Sequence, residues 1–152
     1  MRSIFRTLFV ASLVLAGACR TPSPADAPAP LPAEAAAHRR TWEAARPAAY
    51  VFTYERMCFC VGPRGRVIVE VRGNEIVGAR FAEGGAAVPR EEWEGLLTVD
   101  GAFQRIAEAA RSGQALKVEY DATLGYPTRV EIGSLAADAG INYILGDLRP
   151  AS

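Results

Sequence analysis

The sequence predicts an α+β fold: an antiparallel β-sheet of about five to six strands with helices packed on one face. Three observations carry this expectation. Several short runs alternate apolar and polar residues with the period of two that marks half-buried strands. Two other segments carry apolar residues at helical spacing, or an alanine-rich run stopped by proline. Turn residues lie between consecutive strand-like runs, so neighbouring strands pair as hairpins and the sheet is antiparallel. The order is helix, three strands, helix, three strands.

Ala33 to Arg46 reads as the first helix, ended by Pro47, with Trp42 as its core anchor. Tyr50, Phe52 and Tyr54 then alternate with Val51, Thr53 and Glu55, placing three aromatic rings on one face of a strand. Arg66 to Phe81 is the clearest hairpin. Val67, Val69 and Val71 share a face, Gly73-Asn74 supplies a two-residue turn, and pairing across it sets Ile76 opposite Val71. Glu83 to Glu94 is irregular, with one helical turn started at Pro89. Thr98 or Asp100 caps a second helix that runs to about Ser112, with Phe103, Ile106, Ala107 and Ala110 as its apolar stripe and Gly113 as its stop. Leu116, Val118 and Tyr120 begin another hairpin, to which Val130 and Ile132 return. A last strand covers about Ile141 to Leu148.

Residues 1–18 have a different character. Arg2 and Arg6 precede an apolar run, and Leu15-Ala16-Gly17-Ala18 closes it with small residues. A basic start, a short apolar centre and a small-residue exit make a secretory signal peptide. The run is shorter than the roughly 20 residues of a membrane span. With Cys19 directly after it, the segment resembles the lipobox of bacterial lipoproteins, which implies cleavage before Cys19 and acylation of that residue. Plain secretion after cleavage near Ala18 is the alternative. Residues 19–35 form the acylated cysteine and a tether, in which Pro22, Pro24, Pro28, Pro30 and Pro32 alternate with small residues. At about 3.1 Å per residue, Arg20 to Pro32 in extended polyproline geometry spans roughly 40 Å. The single domain is placed at 36–148 and a tail at 149–152. The expected location is the cell envelope, with the domain held at a membrane through acyl chains on Cys19. Arg20 stands where lipoproteins retained at the inner membrane usually carry aspartate. This favours the outer membrane, facing the periplasm, if the organism has two membranes.

Composition narrows the function. Seventeen basic and seventeen acidic residues give a net charge of zero, with no basic run to bind nucleic acid. Half the residues are hydrophobic, enough for a core and too many for disorder. There are three cysteines. If Cys19 is acylated, Cys58 and Cys60 remain as a pair in a compartment where disulfides persist.

Three segments together resemble one family. They are the aromatic strand Tyr50-Val51-Phe52-Thr53-Tyr54-Glu55-Arg56-Met57 ending in Cys58-Phe59-Cys60, the helix start Thr98-Val99-Asp100-Gly101-Ala102-Phe103, and Tyr120-Asp121-Ala122-Thr123-Leu124-Gly125-Tyr126-Pro127-Thr128. The chain resembles the domain-of-unknown-function 6174 group, mostly small bacterial lipoproteins and secreted proteins, over roughly Trp42 to Leu148. The resemblance implies no activity. Members usually carry proline after the second cysteine, where this chain has Val61. Many carry an acidic cluster near the last strand, where this chain has only Asp138.

Cys58 and Cys60 are the sharpest candidate site. On an extended strand both sulfurs would face one way, beside Arg56, the only adjacent cation in the sequence. Three readings stand. A disulfide there would sit near the upper limit of Cα separation. A soft-metal site would have only two of the ligands zinc needs, with His38 outside the motif. Two reduced cysteines would pack as small hydrophobes. Asp121, Gly125, Tyr126 and Pro127 form the second candidate, either a recognition loop presenting Tyr126 or a rigid connection with Tyr126 packed inward. The Tyr50, Phe52 and Tyr54 face reads as core rather than a ligand platform. Glu91, Glu92 and Glu94 read as a solvated loop. No catalytic residue, metal or cofactor is assigned: the chain has one histidine and no nucleophile-elbow, zinc-protease or phosphate-loop motif. The expectation is a non-catalytic, lipid-anchored envelope domain that binds a protein or another envelope component. A thiol redox or soft-metal site at Cys58-Phe59-Cys60 is the alternative.

Overall fold

The computed structural model describes residues 30–134 and 139–151. The expected signal segment, Cys19, most of the expected tether and Asp138 lie outside the described residues. The elements follow the expected order. Helix α1 (Ala33–Ala45) leads into strands β1 (Ala49–Met57), β2 (Val67–Arg72) and β3 (Glu75–Phe81). A 3₁₀ helix (Arg90–Gly95) and helix α2 (Val99–Arg111) follow, then β4 (Leu116–Tyr120), β5 (Pro127–Ile132) and β6 (Ile141–Pro150). The elements therefore start before residue 36 and run past Leu148. No helix among the described residues is long and apolar enough to cross a membrane.

The six strands form one sheet in the order β3-β2-β1-β6-β5-β4, and every pairing is antiparallel. Two three-stranded meanders are thus joined along β1 and β6. β1 alternates as the sequence requires: Tyr50, Phe52 and Tyr54 are buried, facing Val71, Val69 and Val67 of β2 in register. On its other side Tyr54 pairs with Leu145 and Arg56 with Tyr143. Tyr143 in turn pairs with Val130 of β5. These inward residues, with Trp42 of α1 and Ala102, Phe103 and Ile106 of α2, make the core. Both helices cover this one face.

Local chemistry explains the elements. The β2–β3 hairpin turns at Gly73, whose φ of +62° suits glycine, and pairs Val71 with Ile76 as the turn predicts. A bulge between Glu70 and Val71 leaves Val77 unpaired and partly exposed. Thr98 is the N-cap of α2; its hydroxyl accepts the Gly101 N–H at 3.0 Å. The stripe of α2 differs from the expected one at its end. Ala109 is buried and Ala110 is exposed, because 3.6 residues per turn carries the contact line back by one position.

Asp100 does not cap α2. It is buried in the first turn of the helix, where Arg46 Nη1 reaches its Oδ2 at 2.8 Å and Arg39 Nη2 lies 4.0 Å from Oδ1. This contact ties the end of α1 to the start of α2 over the aromatic core. Replacing Arg46 with Ala leaves Asp100 buried without its main partner. It is expected to lower stability by roughly 1–3 kcal/mol, read as a shift in urea midpoint, and Asp100→Ala in the same chain should recover part of the loss.

Burial pushes the Tyr50 hydroxyl up to about 12, against a smaller opposing effect of the Val99 backbone, and pushes Tyr54 higher still. Burial also raises Tyr120 to about 12. An unfolded tyrosine loses its proton near pH 10, before the folded one does. The stability these tyrosines supply is therefore complete below about pH 10 and falls as pH rises toward about 12. Urea midpoints measured across that interval should fall, and the fall should be shallower in Tyr50→Phe.

Candidate cysteine-loop site

β1 ends at Met57, and the chain leaves the sheet before the cysteines. Cys58 and Cys60 therefore lie in a bend after the strand, not at alternate positions along it. The reason is Arg56. By alternation it takes the core-facing position after Tyr54, but a guanidinium cannot enter the core. It lies at the edge and donates from Nη2 to the Val61 carbonyl, so the loop folds back over it. Gly62 and Gly95 flank the guanidinium. Gly62 has a φ of +138°, and a Cβ there would overlap Arg56 Nη2. A Cβ on Gly95 would come within 2.5 Å of the same atom. Tyr54 Oη donates to the Gly95 carbonyl at 2.9 Å, fixing the 3₁₀ helix against the same corner.

In this bend the two sulfurs stand at disulfide distance, with Cα atoms 5.3 Å apart. That lies inside the roughly 4.4–6.8 Å range of ordinary disulfides. The upper-limit separation expected for an extended strand does not arise. The bond joins residues two apart in sequence. In the chain-entropy relation, closing so short a loop contributes roughly 1.5 kcal/mol, about half the figure for a 15-residue loop. It links no two elements of the fold.

The loop carries the two most exposed large apolar side chains among the described residues, Phe59 and Val61. Phe59 is 88% exposed, Val61 92% and Met57 38%. Cys58 is half-buried and Cys60 exposed. On one side of the loop lies an open cleft of about 410 Å³, lined by both cysteines, Phe59, Arg105, Glu108, Gln114, Ile141 and Tyr143. On the other side Phe59, Cys60 and Val61 share a shallow groove with Arg64, Phe81 and Glu92. Arg105 is a cation that the sequence does not signal. It stands on the exposed side of α2, 45 residues from Cys60, with Nη1 3.1 Å from Glu108 Oε2. Burial raises the Tyr143 hydroxyl, and the nearby Arg105 and Arg56 pull the other way, so both guanidinium groups lie around this ring.

The other sequence candidates fall elsewhere. His38 stacks on Tyr120 with ring centroids 4.0 Å apart, at the end of the sheet opposite the cysteines. Among the described residues no group of three or more His, Cys, Asp or Glu could hold a metal ion, so the soft-metal reading has no third ligand there. The 121–128 loop does not present Tyr126. The ring is 5% exposed and packs edge-on against Trp42, and Pro127 is buried beside it. Asp121 organises this loop from within, its Oδ1 accepting the N–H groups of Thr123 and Leu124 at 2.9 and 2.6 Å. Gly125, at φ +76°, lies so close to α1 that a Cβ would come 2.6 Å from the His38 carbonyl oxygen. Arg90 lies over the Trp93 ring at 3.9 Å, within the acidic 3₁₀ segment.

No curated protein and no solved structure matches the chain. A family model does match, over residues 34–150, which spans every strand and both helices but for the first residue of α1. On that match the chain belongs to the family of unknown function DUF6174.

Proposed function

We propose that this protein is a lipid-anchored cell-envelope protein whose domain is a non-catalytic interaction module, engaging another envelope protein through the Met57–Gly62 loop. The observation that carries the reading is the exposure of Phe59, Val61 and Met57 on one loop held in place by Arg56. Exposed apolar side chains grouped on an ordered loop mark interaction surfaces. Aromatic anchors contribute most of the energy at such contacts. The anchor is supported by the segment before Cys19 and by the proline tether that follows it. On this reading the acyl chains hold the protein at the membrane and the tether sets the reach of the loop.

Two experiments test it. Intact mass of the protein isolated from its native envelope should correspond to a chain beginning at acylated Cys19. A mature mass without lipid removes the anchor. A photo-reactive residue in place of Phe59 should form one or a few discrete protein adducts in intact envelopes, whereas the same residue at the exposed Val77 should not. Adducts to lipid alone, or equal adducts at both positions, overturn the docking role. Phe59→Ser should weaken partner capture about tenfold or more, as expected for losing one buried aromatic side chain.

A further inference from the structure

We propose that the Cys58–Cys60 disulfide is an exchangeable redox group, that its substrates are the thiols of peptide or protein dithiols, and that Cys60 is the sulfur attacked. Four observations carry this. The bond ties together no elements of the fold, since its cysteines are separated by two positions and both lie after β1. The two residues differ in exposure: Cys60 is exposed and borders both the cleft and the groove, whereas Cys58 is half-buried and borders only the cleft, so Cys60 is the side from which an incoming thiolate approaches. Both cysteines line a cleft that also holds the Arg105 side chain, itself paired with Glu108. A cation there favours the thiolate that must leave. Finally, the loop is held by contacts that do not involve sulfur. Arg56 donates to the Val61 carbonyl between Gly62 and Gly95, so opening the bond leaves the loop's anchor intact.

The exchange proceeds in two displacements. A substrate thiolate attacks Cys60 Sγ. As the new S–S bond forms, the Cys58–Cys60 bond breaks, and Cys58 leaves as a thiolate that takes a proton from water. The second thiolate of the substrate then attacks its own sulfur in the mixed disulfide and releases Cys60 as a thiolate. The substrate ends with one disulfide and is oxidised by two electrons. Cys58 and Cys60 end as a dithiol, reduced by the same two. A small-molecule or protein disulfide reverses the sequence. Phe59, between the two cysteines and 88% exposed, offers an apolar contact for the residue next to the substrate thiol, and the cleft receives the flanking chain. The reaction is stoichiometric and goes beyond the docking role. A domain that exchanges with glutathione yet forms no protein adduct through Phe59 keeps this inference and loses the other.

The test uses the mature full chain in native glutathione buffers. Alkylation followed by intact mass reads the state of the two cysteines, and near-ultraviolet circular dichroism reads the packing of the aromatic core. The expected result is reversible conversion between disulfide and dithiol within minutes, with an unchanged spectrum, and oxidation of about one equivalent of a reduced two-cysteine peptide per domain. With oxidised glutathione, Cys58→Ser should trap glutathione on Cys60 at least about tenfold faster than Cys60→Ser traps it on Cys58. A disulfide that survives excess reduced glutathione until denaturant is added overturns the proposal. So does reduction that abolishes the aromatic spectrum, which marks the bond as structural. A trapping ratio near one overturns the assignment of Cys60.

Discussion

β1 is the constraint on which the rest of the structure depends. It is the inner edge of one meander and the strand on which the other closes, hydrogen-bonded to β2 on one side and β6 on the other. Tyr50, Phe52 and Tyr54 point into the core from it. A slip of one residue would turn all three rings to solvent and bring Val51, Thr53 and Glu55 inward, so the register is strongly specified. Trp42 packs edge-on against Tyr50, and the Arg46–Asp100 contact holds the two helices above this row. Both meanders and both helices therefore take their positions from one aromatic strand.

The same alternation builds the site. Following Tyr50, Phe52 and Tyr54 by two more residues puts Arg56 on the core side. A charge cannot be buried there without partners. The fold answers by stopping the strand at Met57 and wrapping the next residues around the guanidinium, with the Val61 carbonyl as acceptor and glycines on both sides. The exposed loop is thus a consequence of how the core strand ends. Its shape depends on a backbone carbonyl and two close glycine contacts more than on the sulfurs it carries.

The fold was legible because its signals are local. The period-two runs, the Gly73-Asn74 turn and the Thr98 start each depend on a few neighbouring residues, and the Val71–Ile76 pairing follows from turn geometry alone. The site was half legible. Cys58-Phe59-Cys60 is visible in any reading of the chain, but an extended geometry was the wrong frame for it, because strand periodicity does not say where a strand must end. Asp100 looked like a cap because it stands at a helix start. Its real partner, Arg46, lies 54 positions away. Arg105 carries no local mark at all, being one charged residue on the polar side of an amphipathic helix. Tyr126 belongs to a sharp loop that reads equally well as display or as packing, and only the position of Trp42 decides it.

Energetics connect the loop to the tether. Fully burying an apolar side chain contributes about 1.5–3 kcal/mol, so Phe59, Val61 and the exposed part of Met57 together supply roughly 4–7 kcal/mol against a partner. Association from free solution costs on the order of 4–15 kcal/mol in lost freedom. Three side chains alone therefore make a weak complex between freely diffusing molecules. If the chain is acylated at Cys19, the partner and the loop share one membrane, and a tether of roughly 40 Å confines their encounter to a thin layer. Within that layer the local concentration of each exceeds that in free solution, so a smaller apolar contact suffices. On the lipid-anchored reading, the proline segment and the exposed loop are then two halves of one binding device. The unlipidated domain in solution would show only the weaker half.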